Sequence, residues 1–100
     1  MAPYKPAFRS RLDALESVPF DEADLQLPEE PGCYIVTTKQ KIPLYVGQSM
    51  NMRRRWAGGH HQTFPCLRAG AKFIYYYVNN DPIETEKEYI EFFKPYLNER

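Results

Sequence analysis

The residues of this chain equipped for chemistry are two tyrosines, a run of three arginines, a histidine pair and a glutamate-rich helix near the C-terminal end. Tyr34 stands in Gly32-Cys33-Tyr34 and Tyr45 in Tyr45-Val46-Gly47. Gly47-Gln48-Ser49 leads from a predicted strand into a predicted helix, and free amides at a helix start can bind an anion. Arg53, Arg54 and Arg55 lie on that helix, where consecutive side chains point in different directions. One or two of them can share a site, and the others face solvent or backbone phosphates. A planar guanidinium bonds two phosphate oxygens at once, although a triple arginine taken alone reads more readily as a solvated basic face. Glu84, Glu86, Glu88 and Glu91 cluster on the last helix. A lone carboxylate facing a basic site can hold Mg2+ or Mn2+, ions commonly required for phosphodiester hydrolysis. Glu84, Glu88 and Glu91 read as an ordinary acidic face, with Glu84 as a capping residue.

The charge distribution points the same way. The 100 residues carry 13 basic and 13 acidic groups, a formal net charge of zero. That balance argues against tight nucleic-acid binding by charge alone. It conceals a segregation: residues 31–80 hold seven Lys and Arg (Lys39, Lys41, Arg53, Arg54, Arg55, Arg68, Lys72) and no Asp or Glu. A stretch without carboxylates is a positive surface, and phosphate is its natural partner. Residues 1–30 carry seven acids against three bases, and the acidic Asp21 to Pro31 reads as a solvated connection.

The length fits one domain. The chain is 43% hydrophobic and 15% aromatic, enough for a small core. Cys33 and Cys66 have no metal-ligand spacing; one disulfide is possible, but the pattern reads as reduced and cytosolic. Met1 to Arg11 lacks the apolar centre of a signal peptide, and no apolar run approaches a membrane span.

The elements that must position these groups follow from pattern. Residues 1–7 are Pro-rich and expected to be irregular. Phe8, Leu12 and Leu15 recur at helical spacing over Phe8 to Ser17, and Pro19 closes the helix. Cys33 to Thr38 and Ile42 to Val46 read as two strands of a hairpin turning at Lys39-Gln40-Lys41. Ser49 is the expected N-cap of a helix running to about Ala57, stopped by Gly58-Gly59. His60 to Gly70 reads as loop and Lys72 to Val78 as the strongest strand. Asp81-Pro82-Ile83-Glu84 combines an N-cap, a first-turn proline and a capping box. The helix that follows ends at Lys94-Pro95.

With these motifs in order, the chain resembles the GIY-YIG nuclease domain. That family has Gly-x-Tyr, about ten residues, Tyr-x-Gly, a helix with an Arg, a later Glu and a closing Pro-x-x-Asn. Here these are Gly32-Cys33-Tyr34, Tyr45-Val46-Gly47, Arg55, Glu86 and Pro95-Tyr96-Leu97-Asn98. The similarity extends to the spacing of Glu86 and Asn98 in the incision subunit of bacterial excision repair. It covers residues 31–98.

The resemblance implies an α/β (α+β) fold, a small three-stranded, mainly antiparallel sheet flanked by helices in the order (α)-β-β-α-β-α. The nuclease domain would occupy 31–100 and residues 1–30 would be an N-terminal extension, a cap or a protein-binding segment. The implied activity is metal-dependent DNA endonuclease cleavage. Tyr34 and Tyr45 would present hydroxyls to the site, one assisting deprotonation of water. Arg55 would stabilise phosphate charge, Glu86 would hold one Mg2+ or Mn2+, and Asn98 would order the site. Gln48, Ser49, Arg53, Arg54, His61 and Lys72 are the candidate DNA contacts. Many members carry His or Tyr four residues after the Arg, where this chain has Gly59. His60 is the chosen replacement and His61 the alternative. The implied location is cytoplasmic or nucleoid-associated, and the implied cleavage structure-dependent or weakly sequence-specific. The rival readings are a catalytically silent DNA-binding module on the same fold and a protein-interaction domain acting through residues 1–30.

Overall fold

The computed structural model describes residues 5–98, so the first four residues of the expected irregular N-terminus lie outside it. Helix α1 (Pro6–Asp13) leads into strand β1 (Glu16–Pro19), a 3-10 turn (Phe20–Glu22) and the short α2 (Ala23–Gln26). The hairpin β2 (Gly32–Thr38) and β3 (Pro43–Ser49) follows, then α3 (Met52–Ala57), α4 (Thr63–Arg68), β4 (Ala71–Val78), α5 (Pro82–Phe93) and a closing 3-10 turn (Tyr96–Asn98). The architecture is α+β, with one antiparallel sheet flanked by helices.

That sheet has four strands, in the order β1-β4-β2-β3, where three were expected. The fourth is β1, which pairs Glu16 with Tyr76 through to Pro19 with Phe73. Four residues with one inward apolar group, Val18, are too short to signal a strand by alternation. They form one because β4 otherwise exposes a free edge along its aromatic run, and an unpaired edge takes up a strand. The predicted first helix therefore stops at Asp13 instead of reaching Ser17, and it begins earlier, with Pro6 in its first turn.

β2 lies between β3 and β4 and is buried along all seven residues. Alternation splits its side chains between two cores. Tyr34 and Val36 face a core containing Val18, Phe20, Leu27, Met52, Trp56, Cys66 and Ile74. Cys33 and Ile35 face the other, with Phe8, Leu12, Val46, Tyr75, Tyr89 and Phe93. Cys33 and Cys66 thus lie in different cores as free, buried thiols, and the possible disulfide is not formed. The α1 residue Phe8 packs on Phe92 and Phe93 of α5 at 5.5 and 5.4 Å between ring centroids. Arg11 lies 4.8 Å over the Phe92 ring.

Three local expectations give way. The loop expected over His60 to Gly70 contains α4, which buries Cys66. Asn51, not Ser49, caps α3: its side chain accepts the Arg54 N–H at 3.0 Å, while Ser49 ends β3 and closes a turn on Asn51. Asp81 makes no side-chain cap, and Glu84 pairs with Lys87 at 3.7 Å in place of a capping box. Asn79 braces that helix start, accepting the Asp81 N–H at 2.9 Å.

Because Phe8 joins α1 to the helix that carries Glu86, Phe8→Ala is expected to cost about 3–5 kcal/mol of stability. Urea denaturation followed by circular dichroism measures this. A loss below about 0.5 kcal/mol, the range of neutral surface changes, would mean that α1 is an appendage to the core.

Candidate active site

The two motif glycines exist to admit neighbours. Gly47 pairs across the hairpin with Tyr34, and a Cβ at Gly47 would stand 2.6 Å from Tyr34 Cε1 and 2.8 Å from its hydroxyl oxygen. At Gly32 a Cβ would meet the Tyr77 carbonyl oxygen at 2.5 Å and Met52 Cε at 2.6 Å. Neither has a positive φ, so close approach rather than backbone conformation selects glycine there.

Tyr34, only 1% exposed, needs a partner for its hydroxyl. His60 provides it, with Nε2 2.8 Å from the Tyr34 oxygen. The ring reaches this position because α3 ends at Ala57 and Gly59 takes a left-handed φ of +86°. The other ring nitrogen, Nδ1, accepts the Gln62 backbone N–H at 3.0 Å. A neutral imidazole has one donor and one acceptor nitrogen. With Nδ1 accepting, Nε2 carries the proton and donates to Tyr34, leaving the phenolic hydrogen free for another acceptor.

The charge state follows from the surroundings. Burial, Arg55 and His61, in that order, depress His60 to a pKa of about 4, so it is neutral at pH 7. Burial pushes the Tyr34 hydroxyl far above its ordinary value, and Tyr45 adds to the rise. Arg55 opposes both by hydrogen bonding and charge. Tyr45 is half-buried and also raised, by burial first and then by the Glu86 carboxylate, with Arg55 again opposing. Tyr45 therefore lies within the fields of both Arg55 and Glu86. Cys33 is pushed up by burial and by Glu86, a buried and inert thiol.

Glu86 is half-buried, which raises its pKa, and among the described residues it has no ion-pair partner. No three His, Cys, Asp or Glu side chains cluster among those residues. A single unpaired carboxylate fits a hard ion that keeps most of its water, such as Mg2+ or Mn2+, and does not fit the closed ligand set of zinc.

Asn98 has a different place. Its Oδ1 accepts the Val46 N–H at 2.7 Å and its Nδ2 donates to the Val46 carbonyl at 2.9 Å. β3 is an edge strand, so Asn98 supplies the hydrogen bonds that a further strand would give, beside Tyr45 and Gly47.

The candidate DNA contacts scatter. Arg54 and Arg55 are exposed on α3, and exposed His61 stacks on His60. Arg53 is engaged, its Nε donating to the Leu27 carbonyl at 2.7 Å and its guanidinium 3.7 Å from Glu29. Lys72 sits by register near Thr37 and Thr38, at the far end of β2 from Tyr34. Gln48 and Ser49 end β3 opposite Cys33 and Gly32. The expected anion site at the start of α3 is closed: the Met52, Arg53 and Arg54 amides donate to the Glu30 carbonyl, the Pro28 carbonyl and Asn51 Oδ1. The acidic connector thus gives its backbone to α3 and consumes the free amides.

Sequence reasoning missed two residues. Trp56 stacks on His60 at 4.2 Å and 17°; as the lone Trp, four residues before His60, it was a usable signal. Gln62 sets the His60 tautomer through its backbone, which no side-chain pattern reveals.

No protein-family model and no curated protein matches this sequence. Solved structures do match. A point mutant of the GIY-YIG N-terminal endonuclease domain of UvrC from Thermotoga maritima, bound to its catalytic divalent cation, superposes with a TM-score of 0.61. The identity is 21%, over 93% of this chain and 96% of that one. The same domain bound to magnesium gives a TM-score of 0.59 at 21% identity, over 93% and 97%. The chain has the GIY-YIG fold. The match takes in most of residues 1–30 as well as the motif region, since 93% of the chain is covered. Within the GIY-YIG fold of this chain, Tyr34, Tyr45, Arg55, His60 and Glu86 act on one another through hydrogen bonds, ring contacts or charge.

Two outcomes follow. His60 should titrate near pH 4 by NMR of its ring, with the proton of the neutral form on Nε2. Its pKa is depressed from 6.5, so the unfolded chain binds the proton more readily and stability should fall as pH drops from about 6.5 towards 4. A ring titrating near 6.5 would contradict the buried hydrogen-bonded placement. Asn98→Ala should cost about 1–3 kcal/mol and speed hydrogen exchange at the Val46 amide; unchanged exchange would remove the edge-clamp role.

Proposed function

We propose that this chain is a metal-dependent endonuclease that hydrolyses DNA phosphodiester bonds. The observation that carries the reading is the gathering of both motif tyrosines around His60, 2.8 Å from the Tyr34 oxygen and 5.6 Å between ring centroids from Tyr45, on the fold of a domain described as an endonuclease bound to its catalytic divalent cation.

Glu86 would hold one Mg2+ or Mn2+, which when bound supplies positive charge to the phosphate and lowers the pKa of nearby acids. Tyr45, only half-buried where Tyr34 is fully buried, is the better placed tyrosine to take a proton from the attacking water. Its resting pKa is raised chiefly by burial and then by Glu86, and neutralising that carboxylate removes the second cause. Arg55 is exposed and free of protein carboxylates among the described residues, so it is available to stabilise charge on the scissile phosphate. Tyr34 is buried and its hydroxyl is held far above its ordinary pKa, so it stays protonated. It receives the His60 Nε2–H and presents its own hydrogen as a donor, a positioning and charge-stabilising part. Asn98 holds the strand that carries Tyr45.

One small domain offers few base contacts, so cleavage would be structure-dependent or weakly sequence-specific. DNA is the partner proposed for the basic face, and a protein partner for residues 1–30. A cytoplasmic or nucleoid-associated location suits the reading, as do repair, restriction and mobile-element roles. No described helix is long and apolar enough to cross a membrane.

The test incubates the protein with supercoiled plasmid and branched DNA, with Mg2+ or Mn2+ and with chelator. Cutting should require the metal, vanish in Glu86→Ala and fall about 10²–10³-fold in Arg55→Ala. Absence of cutting on every substrate, with DNA binding retained, would replace this reading with a silent binding module.

A further inference from the structure

Three rings form a column beside the site. Trp56 and His60 stack at 4.2 Å and 17°, and His60 and His61 at 4.7 Å and 18°. Tyr34 and Tyr45 stand edge-on to the column, at 82° and 74° to His60. The inner end is closed: Trp56 is 7% exposed and meets Phe20 edge-on at 5.5 Å. His61, at the outer end, is exposed, and among the described residues its only aromatic neighbours are His60 and Tyr45. The column therefore has one open end, in a region of sequence without a single Asp or Glu, and the helix before it, α3, carries exposed Arg54 and Arg55.

A flat ligand with an electron-rich perimeter and an attached phosphate fits such an end. Nucleobases stack on protein rings with little dependence on sequence, because each has a π face. In an intact duplex both faces of a base are covered by its neighbours, so the open ring selects a base that is unpaired or displaced. We propose that His61 is a stacking platform for one unpaired nucleobase beside the scissile phosphate, which makes DNA with unpaired bases the preferred substrate class. This rests on the nuclease reading for the identity of the ligand as DNA.

The test uses the full chain in chelator with two probes, a junction carrying 2-aminopurine in unpaired sequence and a fully paired duplex. Wild type should quench the unpaired reporter. His61→Ala should lose the quenching and bind the junction about ten-fold more weakly. His61→Phe should retain both, since the ring and not its titration is needed, and duplex affinity should be the same in all three proteins. Quenching that survives His61→Ala, an equal loss on duplex, or a failure of His61→Phe to restore stacking would each overturn the platform. Cleavage of the same DNA with Mg2+ or Mn2+ runs in parallel. Quenching here, with no DNA cut in either Mg2+ or Mn2+, would discard the nuclease reading and leave the platform standing.

Discussion

The arrangement depends on satisfying one buried hydroxyl. β2 is covered on both faces and both edges, so Tyr34 points into a core rather than towards water. Its oxygen must find a partner there, since an unpaired buried polar group costs about 1–3 kcal/mol. The solution draws in much of the neighbourhood. Gly47 gives up a side chain so that the Tyr34 ring can lie on β3. Gly59 turns the chain left-handed at the end of α3, and His60 arrives as donor with its tautomer set by Gln62. Trp56 covers the other side of the imidazole. The burial that makes Tyr34 a weak acid also makes His60 a weak base, and together they form a neutral, hydrogen-bonded pair at the centre of the candidate site.

Around that pair the charged groups divide between layers. α3 brings Arg55 from the layer holding the Trp56 core, and α5 brings Glu86 from the layer holding Phe8 and Phe93. The half-buried tyrosine on edge strand β3, Tyr45, has its pKa raised by burial and then by Glu86, with Arg55 opposing. Its strand has no neighbour on the outer side, and Asn98 supplies the missing hydrogen bonds. The acidic connector binds Arg53 and caps α3 with backbone carbonyls, holding Arg55 in place at the expense of an anion site.

The hairpin, α3, β4 and α5 were legible because each has a strong local pattern with glycine or proline punctuation. The tyrosine motifs and Glu86 were legible through spacing. What stayed hidden depends on the rest of the fold. Glu16 to Pro19 becomes a strand only because the β4 edge is there to receive it. Asn98 reads in sequence as a residue that orders the site, but its partner, Val46, a strand position 52 residues away, shows only in the fold. Arg53, Arg54 and Arg55 look alike in sequence; only the path of residues 27–30 shows that Arg53 is taken. Gln62 acts through its backbone and leaves no mark in composition at all.

The central claim is that Glu86 holds the divalent cation within the field of Tyr45. Paramagnetic broadening of NMR signals by Mn2+ tests it without DNA or turnover. Titrated at low concentration, Mn2+ should broaden resonances of Glu86, Tyr45 and their neighbours first and leave Lys39 and Lys72 at the far end of the sheet sharp. Asp21 and Asp24 line a separate pocket of about 290 Å³ beside Trp56 and Gly59. Broadening centred on those two carboxylates, with Glu86 and Tyr45 unaffected, would contradict the account.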